Sequence, residues 1–318
     1  METVLLLAGG LVLLAGGGEV LVRGAVGAAR ALGVSPLLIG LTLVGFGTST
    51  PELLTSLFAA FEGAPGIAVG NVVGSNIANV LLILGVTTLI MRLPVEPAAY
   101  RRDGLAMTVA TLACLAAVLF GTLERWMGVA LLLLLAGYIF WAYRSERESP
   151  DAEAEMHEHQ AAEVAGAPAS ILWSVVLAIL GIAVTIAGAR MLVTAAIALA
   201  QGWGVSDTVI GLTVVAVGTS LPELVACVVA ALRGHGDVAL GNIVGSNIYN
   251  LLGILGVTAL VQPIPVPPEI ARLDIWVLLA TTLLLMLFLR TGWRLRRMEG
   301  GAFLALYLAY VGWLAIGA

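Results

Sequence analysis

Residues Gly47-Thr48-Ser49-Thr50-Pro51-Glu52, GTSTPE, set a proline and a carboxylate inside a long apolar run, and GTSLPE repeats the pattern from Gly218 to Glu223. Proline removes a backbone donor and collides with the preceding turn of a helix, and a carboxylate is costly to bury. Two matched interruptions of this kind imply a shared purpose. Their surroundings are extreme: 60% of the 318 residues are hydrophobic, 11% are charged and the mean hydropathy is +1.04, well beyond the apolar share of a soluble domain.

At roughly 20 apolar residues per membrane crossing, the chain predicts an all-α integral membrane protein with about ten transmembrane helices. They run over 3–29, 36–61, 66–91, 105–122, 127–143, 171–200, 208–232, 238–261, 273–289 and 303–316. The runs are continuously apolar rather than alternating, which disfavours a β-barrel. Without a positively charged leader, the first run reads as a retained helix and not as a cleaved signal. Cys114 and Cys227 stand singly inside predicted helices and read as packing residues.

All fifteen basic residues are arginine. Arg30, Arg92, Arg101, Arg102, Arg144, Arg147, Arg233, Arg290, Arg294, Arg296 and Arg297 fall on one side of the ten-span arrangement, against Arg125 and Arg272 on the other. The arginine-rich side is then cytoplasmic in a cell membrane, with both termini outside. The acidic segment 148–168, with His157 and His159, reads as a solvated cytoplasmic linker. Its histidines with neighbouring carboxylates are an alternative metal or pH site. The segment divides the chain into halves at 1–147 and 169–318.

Those halves carry a repeat. Displaced by 171 positions, residues 33–90 lie over 204–261 without a gap, and between Gly70 and Val86 thirteen of seventeen residues are identical to their mates. Five predicted spans separate each residue from its mate, and five is odd, so the two five-helix repeats are expected to cross the membrane in opposite directions. Secondary transporters share this inverted architecture, with substrate sites where the repeats meet near the midplane.

The chemistry of the interruptions follows. Pro51 and Pro222 act as kinks that free carbonyls around Gly45 to Gly47 and Ala216 to Gly218, and freed carbonyls persist at membrane depth only where protein, water or an ion satisfies them. Thr48, Ser49, Thr219 and Ser220 add hydroxyls, and Glu52 and Glu223 add carboxylates. In GNVVGSNIAN and GNIVGSNIYN, the residues Asn71, Ser75 and Asn79 share one helical face, as do Asn242, Ser246 and Asn250; Asn76 and Asn247 lie about 100° away. Ordinary interhelical hydrogen bonding is the other reading of this stripe. An all-oxygen set without histidine or thiolate suits a hard cation, and a dehydrated, flexible cage suits Ca²⁺ better than Mg²⁺. Two carboxylates balance one Ca²⁺ or two Na⁺, so exchange is natural.

The paired GTS(T/L)PE and GN(V/I)VGSN motifs resemble the two repeats of the cation/calcium exchanger superfamily, most closely its prokaryotic sodium/calcium antiporters. That resemblance implies a ten-helix fold working by alternating access, with the long helices at 3–29 and 171–200 sliding over the second, third, seventh and eighth. It implies Ca²⁺ ligands at Glu52, Glu223, Thr48 and Thr219, and Na⁺ sites adding Ser49, Ser75, Ser220, Ser246 and the carbonyls of Gly45 and Ala216. Asn79 and Asn250 take the paired central positions. The structurally studied archaeal members of that superfamily have an aspartate at one of these, where this chain has Asn250. Glu52 and Glu223 then remain as the titratable pair, and because burial favours a neutral carboxyl, H⁺ stands as the alternative counter-ion.

The expected partners are therefore Ca²⁺, Na⁺ and the lipid bilayer, with no cofactor, no nucleic acid and no obligate protein partner. No nucleophile and base pattern suggests an enzyme. A cation channel lined by the same cage is the reading from a different class, and flux without a counter-ion would mark it.

Overall fold

The computed structural model describes residues 2–148, 164, 167, 168 and 170–317. His157, His159 and most of the 148–168 linker lie outside the described residues. Helix α1 spans Glu2–Ala31. Helix α2, Pro36–Ile39, runs on through a π-helical turn at Gly40–Val44, and α3 restarts at Thr50–Phe61. Then come α4 (Pro65–Ile90), α5 (Pro97–Leu119), α6 (Arg125–Arg147) and α7 (Ile171–Trp203). Helices α8 (Asp207–Thr219) and α9 (Leu221–Leu232) meet at a 45° bend, followed by α10 (Gly236–Val261), α11 (Ile270–Arg290) and α12 (Arg297–Ile316).

Eight of these helices are each long and apolar enough to cross a membrane, and the bent α8–α9 pair is a further candidate. The expected spans over 36–61 and 208–232 are each interrupted, at the stretches that Pro51 and Pro222 were expected to kink. Their breaks fall at residues 45–49 and at Ser220, immediately ahead of Pro51 and Pro222. Helix α5 also begins earlier than expected, at Pro97 instead of 105. Proline is favoured at the first helical position, and the charge of Arg102 is matched by Asp103 at 2.8 Å and Glu146 at 3.0 Å, which lets a buried arginine enter the helix.

Helices α4 and α10 form the buried centre, while α1, α6, α7, α11 and α12 expose large apolar side chains outward, as lipid contact requires. Cys114 and Cys227 are both buried in the packing. Helices α1 and α7 lie antiparallel with their backbones touching: a Cβ on Gly10 would sit 2.8 Å from the Leu192 nitrogen, and one on Gly17 would sit 2.6 Å from the Thr185 nitrogen. Glycine is required here by close approach of two chains.

Four two-residue strands, which no sequence pattern announced, tie the halves together. Strand β1 (Leu93–Pro94) pairs with β4 (Arg294–Leu295), and β2 (Thr122–Leu123) with β3 (Ile264–Pro265). A second matched pair of contacts staples neighbouring helices: the Tyr138 hydroxyl donates to Asp103 at 3.1 Å, and Tyr310 donates to Asp274 at 2.8 Å.

Replacing Gly17 by leucine forces α1 and α7 apart, an overpacking expected to cost about 1–3 kcal/mol. Gly16→Leu, where no atom lies within 4 Å of the new Cβ, leaves stability unchanged or slightly improved. Thermal unfolding of the two variants in detergent checks this; equal midpoints would contradict it.

Candidate functional site

Matched local devices in the two halves bring the site together. Ser35 and Ser206 cap the starts of α2 and α8, accepting from the amides of Leu38 and Val209 at 3.3 Å each. Each helix then loosens into a π turn, at Gly40–Val44 and Gly211–Val215. π turns leave the i→i−4 ladder out of step and are frequent at functional sites. Because Pro51 and Pro222 have no N–H, the chain must restart, and α3 and α9 begin with a proline in the first turn and a glutamate beside it. A carboxylate in a helix's first turn is favoured by the dipole. Two helix starts therefore deliver Glu52 and Glu223 to one place.

The carboxylates are held crosswise. Ser49 Oγ donates to Glu223 Oε1 at 3.1 Å, and Ser220 Oγ donates to Glu52 Oε1 at 3.0 Å. Each half's serine thus holds the other half's glutamate. Both glutamates are at most 1% exposed, and the second oxygen of each, Oε2, has no hydrogen-bond partner. The Thr48 and Ser246 hydroxyls, the Asn79 amide oxygen and both polar atoms of Asn250 are likewise buried without partners. Native interiors rarely leave buried polar atoms unpaired, so these atoms, beside two buried carboxylates, make this the candidate site. Among the described residues no three histidine, cysteine or acidic side chains cluster, so amides and hydroxyls would have to complete any coordination shell.

The stripe on α4 makes hydrogen bonds to neighbouring elements. Asn71 Nδ2 donates to the Glu52 carbonyl at 3.2 Å and to Ser56 Oγ at 2.9 Å, while its oxygen accepts from Thr219 at 3.0 Å. Ser75 donates to the Ala216 carbonyl at 3.3 Å, and Asn79 donates to Asn247 Oδ1 at 2.9 Å. Asn250 starts the π turn Asn250–Ile254, matching Asn79 at the start of Asn79–Leu84.

Three expectations need correction. The Ala216 carbonyl is not freed by Pro222: it accepts from the Ser220 amide at 3.1 Å and from the Ser75 and Thr219 hydroxyls at 3.3 Å each. Asn242 mirrors Asn71 only in part: it donates to Cys227, which stands where Ser56 does in the other half, at the longer distance of 3.5 Å, and it is half-buried where Asn71 is buried. Asn247, set aside for its angular offset, lies at the centre, since its amide also donates to the Asn76 carbonyl at 3.3 Å. Its presence in both copies of the repeat was the signal that could have found it. The Gly45 amide closes the π turn onto Gly40 at 2.8 Å.

Comparison with known proteins points the same way. Residues 2–144 and 173–316 match the family described as sodium/calcium exchanger protein. The sodium/calcium exchanger MaX1 of Methanosarcina acetivorans is 35% identical over 336 residues, covering 95% of this chain and 95% of its own length. The inner membrane protein YrbG of Escherichia coli is 35% identical over 297 residues, 90% of this chain and 88% of its own. Among solved structures, the sodium-calcium exchanger NCX_Mj soaked with Na⁺ and Sr²⁺ superposes with a TM-score of 0.63 at 34% identity, over 98% of each chain.

Asn71 and Asn250 differ in their partners: the Asn71 amide is bonded on both sides, and the Asn250 amide has none. Asn71→Ala strips partners from buried Thr219 and Ser56 and is expected to cost about 1–3 kcal/mol of stability without added cation. Asn250→Ala removes an amide that has no partner and is expected to cost less. Denaturation of the cation-free variants reads the difference, and the reverse order would contradict the assignment.

Proposed function

The chain belongs to the sodium/calcium exchanger protein family, and from that premise we propose that it is an antiporter carrying Ca²⁺ across a membrane in exchange for Na⁺. Both ions compete for one oxygen cage near the membrane midplane, reached from either side in turn. The observation that carries this reading is the crossed pair of serine–glutamate bonds, Ser49 to Glu223 and Ser220 to Glu52, with the free Oε2 atoms left beside them.

Ca²⁺ would take Glu52 and Glu223 with the oxygens of Thr48 and Thr219. Na⁺ would add Ser49, Ser75, Ser220, Ser246 and the Gly45 carbonyl, with Asn79 and Asn250 as paired amide oxygens. Ala216 leaves the set, since its carbonyl already serves three donors. An ionised side chain at the bilayer centre costs at least about 2.5–3.5 kcal/mol, so an empty site holding two of them resists closing. Occupancy by one Ca²⁺ or two Na⁺ cancels the charge and lets the site occlude, which couples the ions without any cofactor or bond-making step.

The framework around the cage is two inverted five-helix repeats, 1–147 and 169–318, giving about ten crossings joined by the 148–168 linker. The antiparallel contact of α1 with α7 and the swapped strand pairs β1–β4 and β2–β3 support this arrangement. By the arginine distribution the linker is cytoplasmic and both termini are outside. With Asn250 in place of an acid, a third Na⁺ would leave a net positive charge in a buried site, so exchange is electroneutral.

The test is ⁴⁵Ca²⁺ uptake into proteoliposomes loaded with Na⁺ or with choline. Uptake is expected only from Na⁺-loaded vesicles, at a rate insensitive to an imposed membrane potential. Glu52→Gln and Glu223→Gln each lower it by about two orders of magnitude, the scale of losing a buried charged partner. Uptake driven solely by a pH gradient would replace Na⁺ with H⁺, and uptake needing no counter-ion would replace the antiporter with a channel.

A further inference from the structure

The two sides of the cage are closed by different means. On one side α4 lies on α8 with its backbone in contact. A Cβ on Gly66 would sit 2.7 Å from the Thr208 nitrogen, and one on Gly74 would sit 2.6 Å from the Leu212 carbonyl oxygen. Packing of that density opens only if whole helices separate.

On the side related by the repeat, where α10 faces α2, the contact is loose. Gly245, the mate of Gly74, has no described atom within 4 Å of where its Cβ would be. Thr48 and Asn242 are half-buried there, while their mates Thr219 and Asn71 are 1% and 0% exposed. An aromatic contact lies across this side: Phe46 stacks on Tyr249 with ring centroids 4.3 Å apart and planes 9° from parallel. Phe46 lies two residues before Thr48, and Tyr249 directly precedes Asn250. Their repeat mates are Val217 and Ala78, so the other side has no equivalent pair.

We propose that the Phe46–Tyr249 stack is the side-chain gate between the cage and the arginine-rich side of the membrane. It parts by side-chain rotation, while the α4–α8 side is sealed by backbone contact. The two rings are positioning residues: they supply no oxygen to the proposed cage and act by excluding water and cations from Thr48 and Asn250. The proposal rests on the antiporter reading but adds residues that reading does not use.

Retention of trapped cation tests it. Proteoliposomes are loaded with ⁴⁵Ca²⁺, or separately with ²²Na⁺, and diluted into choline medium free of exchangeable cations. Phe46→Ala and Tyr249→Ala are expected to raise this uncoupled leak by roughly three- to tenfold, the factor that one lost aromatic contact represents, while Na⁺-driven exchange persists. Tyr249→Phe, which keeps the ring, and Val217→Ala, the repeat mate, are expected to retain cation like the wild type. If both alanine variants fold and retain cation as the wild type does, the gate is overturned. Should Phe46→Ala fail to fold, Phe46→Leu with Tyr249→Ala decides the matter in the same assay. Should the wild type exchange no calcium, the antiporter reading falls, and ²²Na⁺ retention in the same variants still decides the gate.

Discussion

Two carboxylates buried in one place repel each other and lose their hydration, and the rest of this molecule is arranged around that problem. Glu52 and Glu223 are each held by a serine from the opposite half, so neither half makes its own site. The helix starts at Thr50 and Leu221 offset part of the charge with their dipoles. What remains is a deficit of positive charge beside a group of unpartnered oxygens. The proposed exchangeable cation would relieve both at once, which is why the proposed cargo and the stability of the closed site are the same question.

The broken helices are how the chain reaches that arrangement. A continuous helix would satisfy its carbonyls and carry its glutamate past the centre. Here a π turn, a short irregular stretch and a proline restart place hydroxyl, carbonyl and carboxylate oxygens within a few residues of one another. The cost of the irregular backbone is met locally, as at Ala216, whose carbonyl gathers three donors.

Much of this was legible in the chain because the physical demands leave marks in residue type. Proline and glutamate within an apolar run signalled the breaks, and the 171-residue displacement showed that both were built twice. The stripe of Asn71, Ser75 and Asn79 followed from helical periodicity, and the structure turns all three toward neighbouring elements of the site. The repeat extends beyond residues 33–90: Asp103 and Asp274 are 171 apart and Tyr138 and Tyr310 are 172 apart, so the one-residue change of displacement falls between the two partners of each clasp. Other features were not readable. The strand pairs involve two residues each, too few to leave a pattern. Asn247 acts across an interface, which single-helix geometry does not capture. The difference between the sealed and the aromatic side is a property of one conformation, and a sequence encodes both.

The most direct test of the central claim is equilibrium binding of ⁴⁵Ca²⁺ to the purified protein across a range of Na⁺ concentrations. A shared cage of charge −2 requires that Na⁺ displace Ca²⁺ completely, with roughly two Na⁺ taken up for each Ca²⁺ released, and that Glu52→Gln with Glu223→Gln together remove calcium binding. Calcium that stays bound at saturating Na⁺, or that binds the doubly substituted protein as tightly as the wild type, would contradict it.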